Sequence, residues 1–166
     1  EEAAPSFVHT PADAITQLQV DDATVRVLVG QAWGAQSPVV SLAPALYLDI
    51  QLPANGQLRL PAGMAQELGL YAVDAAVSVA DEMLEPHTMA VLPTDRALAL
   101  RASAAPVRCM LVGGDALAER RHIWWNFVST RKERIVQAAS DWEAQRMGQV
   151  PGETELIPLP SHRFRP

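Results

Sequence analysis

Apolar and polar residues alternate in short runs along most of this chain. Val25, Val27 and Val29 alternate with Arg26 and Leu28, and Gly30 ends the run. Leu46, Leu48, Ile50 and Leu52 point one way, while Tyr47, Asp49 and Gln51 point the other. A period of two is that of a strand with one buried face. Pro53-Ala-Asn-Gly56 then reads as a turn, because Asn-Gly readily supplies positive φ. Leu58 and Leu60 alternate up to Pro61-Ala-Gly63, Leu98 and Leu100 repeat the pattern, and Val107, Cys109 and Leu111 alternate with Arg108 and Met110. Leu70–Val79 is a longer apolar run with Val77 and Val79 on one face. Met83–Leu84 and Thr88–Leu92 flank Pro86, so at least one of these strands is broken or lies at an edge. Short strands punctuated this regularly, with no helix between them, predict a sandwich or barrel.

The pattern changes once, near residue 130. Thr130-Arg-Lys-Glu133 reads as a capping box, in which the threonine hydroxyl accepts a backbone N–H and the glutamate reaches back to the cap. Ile135, Ala138, Ala139 and Trp142 follow helical spacing, Gly148 suits the residue after a helix end, and Pro151 lies just beyond. One amphipathic helix is expected at about 131–146. The tail, 151–166, has little periodicity and is expected to run extended over a surface. Residues 1–23 carry Pro5, Pro11 and Asp21–Asp22 and read as a linker or N-terminal extension. The absence of an initiating Met fits a segment of a longer chain, and equally a processed one. The expected layout is thus an extension (1–23), a β-barrel (24–114), and an aromatic segment, helix and tail (115–166) that pack on the barrel or on a partner domain.

Length and composition narrow the classes. The 166 residues suit one domain with extensions, and 49% hydrophobic content is that of a globular chain. Only 19% of residues are charged, which leaves room for a contact face on the surface. The net charge of −6 argues against direct nucleic-acid binding, which needs a Lys/Arg excess on one face. No apolar stretch reaches the ~20 residues that span a bilayer, and Glu1–Ser6 has no signal-peptide pattern. Cys109 is the single cysteine and lies in an apolar run, so it reads as an inert core thiol in a reducing compartment. A cytoplasmic location is expected.

Candidate chemistry is sparse. The histidines are His9, His87, His122 and His162, and no two are spaced as an H-x-H or H-E-x-x-H metal pair. The one local candidate metal set is Glu82, Glu85 and His87. Residues 85 and 87 would share a face of an ideal strand, but Pro86 lies between them, and a polar loop edge accounts for the same residues. There is no G-x-S-x-G elbow, and Cys109, which alternates with Arg108 along the strand, is expected to have no local electropositive partner that would activate it. Gly113-Gly114 lacks phosphate-loop spacing and reads as a bend with positive φ. The most unusual segment is Arg120-Arg-His-Ile-Trp-Trp-Asn-Phe-Val128. Each aromatic buries roughly 150–250 Å², so Trp124, Trp125 and Phe127 must meet something. They either seat the helix against the β domain or face a partner domain or ligand cavity. The nearby Arg120, Arg121, Arg131, Lys132 and Arg134 form a solvated helix start or a patch for an acidic partner.

At this segment a family resemblance emerges. His122-Ile-Trp-Trp-Asn-Phe-Val128, Ser129-Thr-Arg-Lys-Glu-Arg-Ile135, Asp141-Trp142 and Pro151-Gly-Glu-Thr-Glu-Leu-Ile-Pro-Leu-Pro160 resemble the C-terminal signature of pirin-like proteins. Tyr47-Leu-Asp-Ile-Gln-Leu52, Ala90-Val-Leu92 and Met110-Leu-Val-Gly-Gly114 are similar to that family's second cupin domain. The resemblance covers about residues 24–160. It implies a cupin-type antiparallel β-barrel or jelly roll with one C-terminal helix and an extended tail. It also implies two such barrels in tandem, with the metal, iron or another divalent ion, held by three His and one Glu of the N-terminal barrel. The implied activity is dioxygenation of flavonols such as quercetin, and some members are described as transcription cofactors.

The barrel read here supplies no such ligands. If Ala75 occupies the glycine that closes the cupin metal motif, the ligand slots fall near Ala62, Met64 and Leu68, none a donor for a hard cation. Ala75, Ala76 and Ala80 also stand where such barrels often turn on glycine, which is costly wherever φ is positive. Three functions follow as expectations. The first is a metal-free module with no cofactor of its own, partnered by the N-terminal cupin domain of the same protein or by a second copy. The second is the non-catalytic half of a quercetin 2,3-dioxygenase-type enzyme. The third is a transcription-associated protein-binding adaptor.

Overall fold

A strand with alternating residues needs hydrogen-bonded neighbours and a cover for its apolar face, and the chain's topology provides both. The computed structural model describes residues 3, 4, 6–148 and 150–164. In chain order the strands are β1 (Thr16–Val20), β2 (Ala23–Val29), β3 (Gln31–Ala32), β4 (Ala35–Gln36), β5 (Ala45–Leu52), β6 (Gln57–Leu60) and β7 (Glu67–Ala72). They continue with β8 (Val77–Val79), β9 (Glu82–Leu84), β10 (Met89–Leu92), β11 (Leu98–Ala102), β12 (Val107–Gly114), β13 (His122–Trp124) and β14 (Phe127–Ser129), before helix α1 (Lys132–Glu143). One sheet has the order β1-β2-β5-β12-β7-β10 and the second β6-β11-β8-β9, while β3–β4 and β13–β14 are separate hairpins. All pairings are antiparallel. Val25, Leu48, Ile50, Leu70 and Leu111 of the first sheet share one core with Leu58, Leu60, Val77 and Leu100 of the second. This is the double-sheet jelly roll of a cupin.

Several boundaries move. Thr16–Val20, inside the stretch read as an extension, is a strand paired along its whole length with β2; residues 1, 2 and 5 of that stretch lie outside the described residues. The apolar run 70–79 divides between β7 and β8, which belong to different sheets. Pro86 separates β9 from β10, and each is an edge strand of its sheet. Gly113 and Gly114 are not a bend. They end β12, paired with both β5 and β7, and glycine is needed there for close approach. A Cβ on Gly113 would lie 2.7 Å from the Glu67 carbonyl oxygen, and one on Gly114 2.8 Å from that of Pro44. Gly30, at φ 82°, is pressed still closer: its Cβ would lie 2.1 Å from the Ala45 carbonyl oxygen.

Of the alanines that stand at glycine positions, only Ala80 has positive φ. Ala80 (50°) and Asp81 (68°) form the two-residue turn between β8 and β9. Two positive φ values match the right-handed twist of a hairpin, but alanine reaches that region only with strain.

Asp49 departs from the alternation. Period two puts it on the outer face with Tyr47 and Gln51, yet it is only 1% exposed. The reason is Arg108 on the neighbouring strand. Its Nε and Nη2 donate to Asp49 Oδ1 and Oδ2 at 2.8 and 2.9 Å. The hydrogen bond to Asp49, then the charge of Asp49, raises the Arg108 pKa above its already high value. The Arg108 backbone N–H is taken by Asp74 Oδ1 at 2.9 Å.

Cys109, the next residue, points the other way into the core. Burial, with a smaller contribution from Asp74, pushes its thiol up to about 12.

Three outcomes are expected. Ala80→Gly should relieve the turn and stabilise the fold by about 1 kcal/mol, read from the denaturant midpoint; an unchanged midpoint would show the turn to be unstrained. Arg108→Met should cost about 2–3 kcal/mol by stranding a buried carboxylate, and Asp49→Leu added to it should restore most of the loss. The Cys109 thiol should resist Ellman's reagent in the native protein and react once unfolded. Its folded pKa lies above the unfolded value of ~8.5, so its contribution is complete below that pH and fades as pH rises towards about 12. Cys109→Ala should lack that alkaline component in a pH series of unfolding curves.

Candidate functional site

The chain divides into two compact units, Ser6–Ala116 and a second that runs from Leu117. The first contains the three positions near which the resemblance would put metal ligands. Leu68 is buried in the core, Met64 is half-buried against it, and Ala62 is exposed in the turn after β6. Carbon and a thioether are no ligand set for iron or another hard divalent ion. The family's metal does not fit these residues.

Glu82, Glu85 and His87 are all exposed and are spread over an edge. Glu82 lies on β9, while Glu85 and His87 flank Pro86 in the turn to β10. His87 adopts φ 63° and donates its backbone N–H to the Ala72 carbonyl at 2.8 Å. The Thr88 hydroxyl donates to the Glu85 carbonyl. Among the described residues no three His, Cys, Asp or Glu side chains are grouped so as to hold a metal ion.

In the second unit the aromatic segment is a hairpin. Ile123 pairs with Val128 and Trp124 with Phe127 across the two-residue turn Trp125–Asn126, with Trp125 at φ 51°. Trp125 meets Phe127 edge-on at 5.5 Å and Trp142 of α1 at 5.2 Å, and Trp124 lies 6.2 Å from Phe127. Trp124 is buried, and Trp125 and Phe127 are half-buried. These rings therefore seat the helix on the hairpin. The apolar side chains left in water are Ile123 and Val128, a cross-strand pair on the opposite face. The alternation in Ile-Trp-Trp-Asn-Phe-Val around a Trp-Asn turn carries that signal, and reading the segment as an aromatic cluster hides it.

Helix α1 starts one residue after the position that the capping box predicts. Its N-cap position is Arg131, whose backbone N–H is accepted by Ser129 Oγ at 3.0 Å. Arg131 and Lys132 are exposed and Arg134 is half-buried. The helix ends before Gly148: Gln145 takes the left-handed conformation at φ 54°, and Arg146 N–H returns to the Asp141 carbonyl at 2.8 Å. Arg146, then Gln137, hydrogen-bonds the Asp141 carboxylate and holds its pKa below the usual range. The indole N–H of Trp142 donates to the Ile157 carbonyl at 2.8 Å and ties the tail to the helix. No helix among the described residues is long and apolar enough to cross a membrane.

Known proteins share these features. Residues 47–148 match the family model of the pirin C-terminal cupin domain. A pirin-like protein of Caulobacter vibrioides is 34% identical over 163 residues, which are 96% of this chain and 55% of that protein. Human pirin is 27% identical over 87% of this chain and 51% of its own length. A quercetin 2,3-dioxygenase of Acinetobacter baumannii superposes with a TM-score of 0.82 at 24% identity, over 91% of this chain and 52% of that one. The chain thus spans about half the length of the relatives it matches. With the double-sheet fold and the hairpin–helix signature on one chain, it belongs to the pirin C-terminal cupin domain family.

Proposed function

We propose that this chain is a metal-free cupin module that works by contact, beside a metal-binding barrel, and carries no redox chemistry itself. The observation that bears most of the weight is the filling of the barrel. At the positions expected for cupin ligands stand Ala62, exposed in a turn, Met64, half-buried, and Leu68, inside the close-packed aliphatic core. A contact role is also supported by the outer face of the six-stranded sheet. Tyr47, Val112, Gly69 and Val91 are cross-strand neighbours in one continuous row over four strands. Tyr47 and Val112 are exposed, and Val91 is 87% exposed. A row like this fits the sheet of another barrel, either the N-terminal cupin of a longer chain or a second copy. The lone buried cysteine fits a reducing, cytoplasmic setting.

A second reading is favoured by the resemblance in fold to a quercetin 2,3-dioxygenase. In that reading this half shapes or shields a flavonol site whose metal sits in the other barrel. The two agree on this chain and differ on the whole protein. Purified from iron-supplemented medium, the chain should hold far less than one iron, nickel or zinc per molecule by elemental analysis, and should consume no oxygen with quercetin. One metal per chain, or metal-dependent oxygen uptake, would overturn the metal-free reading.

A further inference from the structure

The connection between β4 and β5 is a built loop around a cavity of about 680 Å³ at one end of the barrel. Ser37 is buried and fixes its start. Its Oγ–H donates to the Leu28 carbonyl at 2.7 Å, its Oγ accepts the Val39 N–H at 3.0 Å, and its own N–H donates to the Gly30 carbonyl at 2.8 Å. Pro38 and Pro44 stiffen the two ends, and the Ser41 hydroxyl donates to the Ala43 carbonyl. The close backbone contacts of Gly30 with Ala45 and of Gly114 with Pro44 hold the loop's exit. So both ends of the loop are fixed by bonds and contacts within the chain, which lowers the ordering cost of binding.

Its side chains are unusual for a fixed surface loop. Val40 is 88% and Leu42 85% exposed, and both line the cavity with Val39 and Met64. The volume falls within the roughly 300–1,000 Å³ of small-molecule sites. Met64 is adaptable and its sulfur favours aromatic rings. Among the described residues lining the cavity, Asp115 is the only charged one, and no ion pair or hydrogen bond to its carboxylate is found there. The lining has no cation, so an anion finds no counter-charge. We propose that this pocket is a binding site for a compact aromatic cation, with the ring between Leu42 and Met64 and the cationic head at Asp115.

The site lies outside the filled interior and asks nothing of the other barrel, so it stands or falls apart from the contact role. Benzamidine, benzyl alcohol and benzoate share one ring and differ in charge, and each can be titrated into the ¹⁵N-labelled full chain by NMR. Benzamidine should give saturable shifts confined to Val39, Val40, Leu42, Ala65 and Asp115, with benzyl alcohol weaker and benzoate weakest. Asp115→Asn should weaken benzamidine about threefold and leave benzyl alcohol unchanged, and Leu42→Ser should weaken both about tenfold. Shifts that map elsewhere or do not saturate, benzoate binding as tightly as benzamidine, or indifference to Asp115→Asn would overturn the proposal. The benzamidine–benzoate comparison needs no substitution, so it decides the charge claim even if a variant fails to fold.

Discussion

A side chain that points between two packed sheets has no access to water. Any polar donor placed there must find a partner or give way to carbon, because an unpaired buried polar group costs about 1–3 kcal/mol. In this barrel β2, β5, β7 and β12 face β6, β8 and β11 with leucine, isoleucine, valine and alanine, and with the single thiol of Cys109. Among the described residues no three His, Cys, Asp or Glu side chains converge as ligands. A metal-binding barrel keeps polar donors in its interior only because the ion compensates their burial. The core of this barrel is instead close-packed from aliphatic side chains.

The outer face follows a different logic. There a single carboxylate, Asp49, sits at the centre of the large sheet and is sealed by Arg108 from the adjacent strand. An ion pair with its carboxylate buried and its arginine half exposed adds little net stability over apolar residues, but the carboxylate is intolerant of losing its partner. It also divides the face into a polar end, where Arg108 and Gln51 lie, and an apolar end, where Tyr47, Val112 and Val91 lie. The C-terminal unit is organised by aromatic area instead: one hairpin and one helix, too small for an aliphatic core, are held by Trp124, Trp125, Phe127 and Trp142.

Most of the barrel was legible in the sequence because its strands have one wet and one dry face, and period two reports that directly. Leu46 to Leu52 is the plainest case. The departures have physical reasons. Asp49 alternates as a surface residue, and its ion pair is with an arginine whose place diagonal to it is set by strand pairing, which no local pattern encodes. Gly113–Gly114 looked like a turn, since glycine alone does not distinguish freedom in φ from the need for a close neighbour. Thr16–Val20 is an edge strand with half-buried positions, and so has weak contrast. The family could be read from the Trp-rich segment, but its hairpin could not be told from a cluster until the Trp125–Asn126 turn was seen. The mouth pocket was not legible at all, since it depends on the Gly30 and Gly114 contacts that hold an apolar loop away from the barrel end.

Those glycine contacts bear on how this protein can change over generations. At Gly30, Gly113 and Gly114, backbone meets backbone so closely that a single methyl group would collide with a carbonyl. These positions are closed to drift. The loop that Gly30 and Gly114 anchor, from Val39 to Ala43, is half-buried at its start and otherwise exposed, and its side chains can be exchanged with little effect on the core. The barrel end therefore combines an immutable floor with freely variable walls. Selection could retune what that end touches, residue by residue, without passing through an unfolded intermediate sequence.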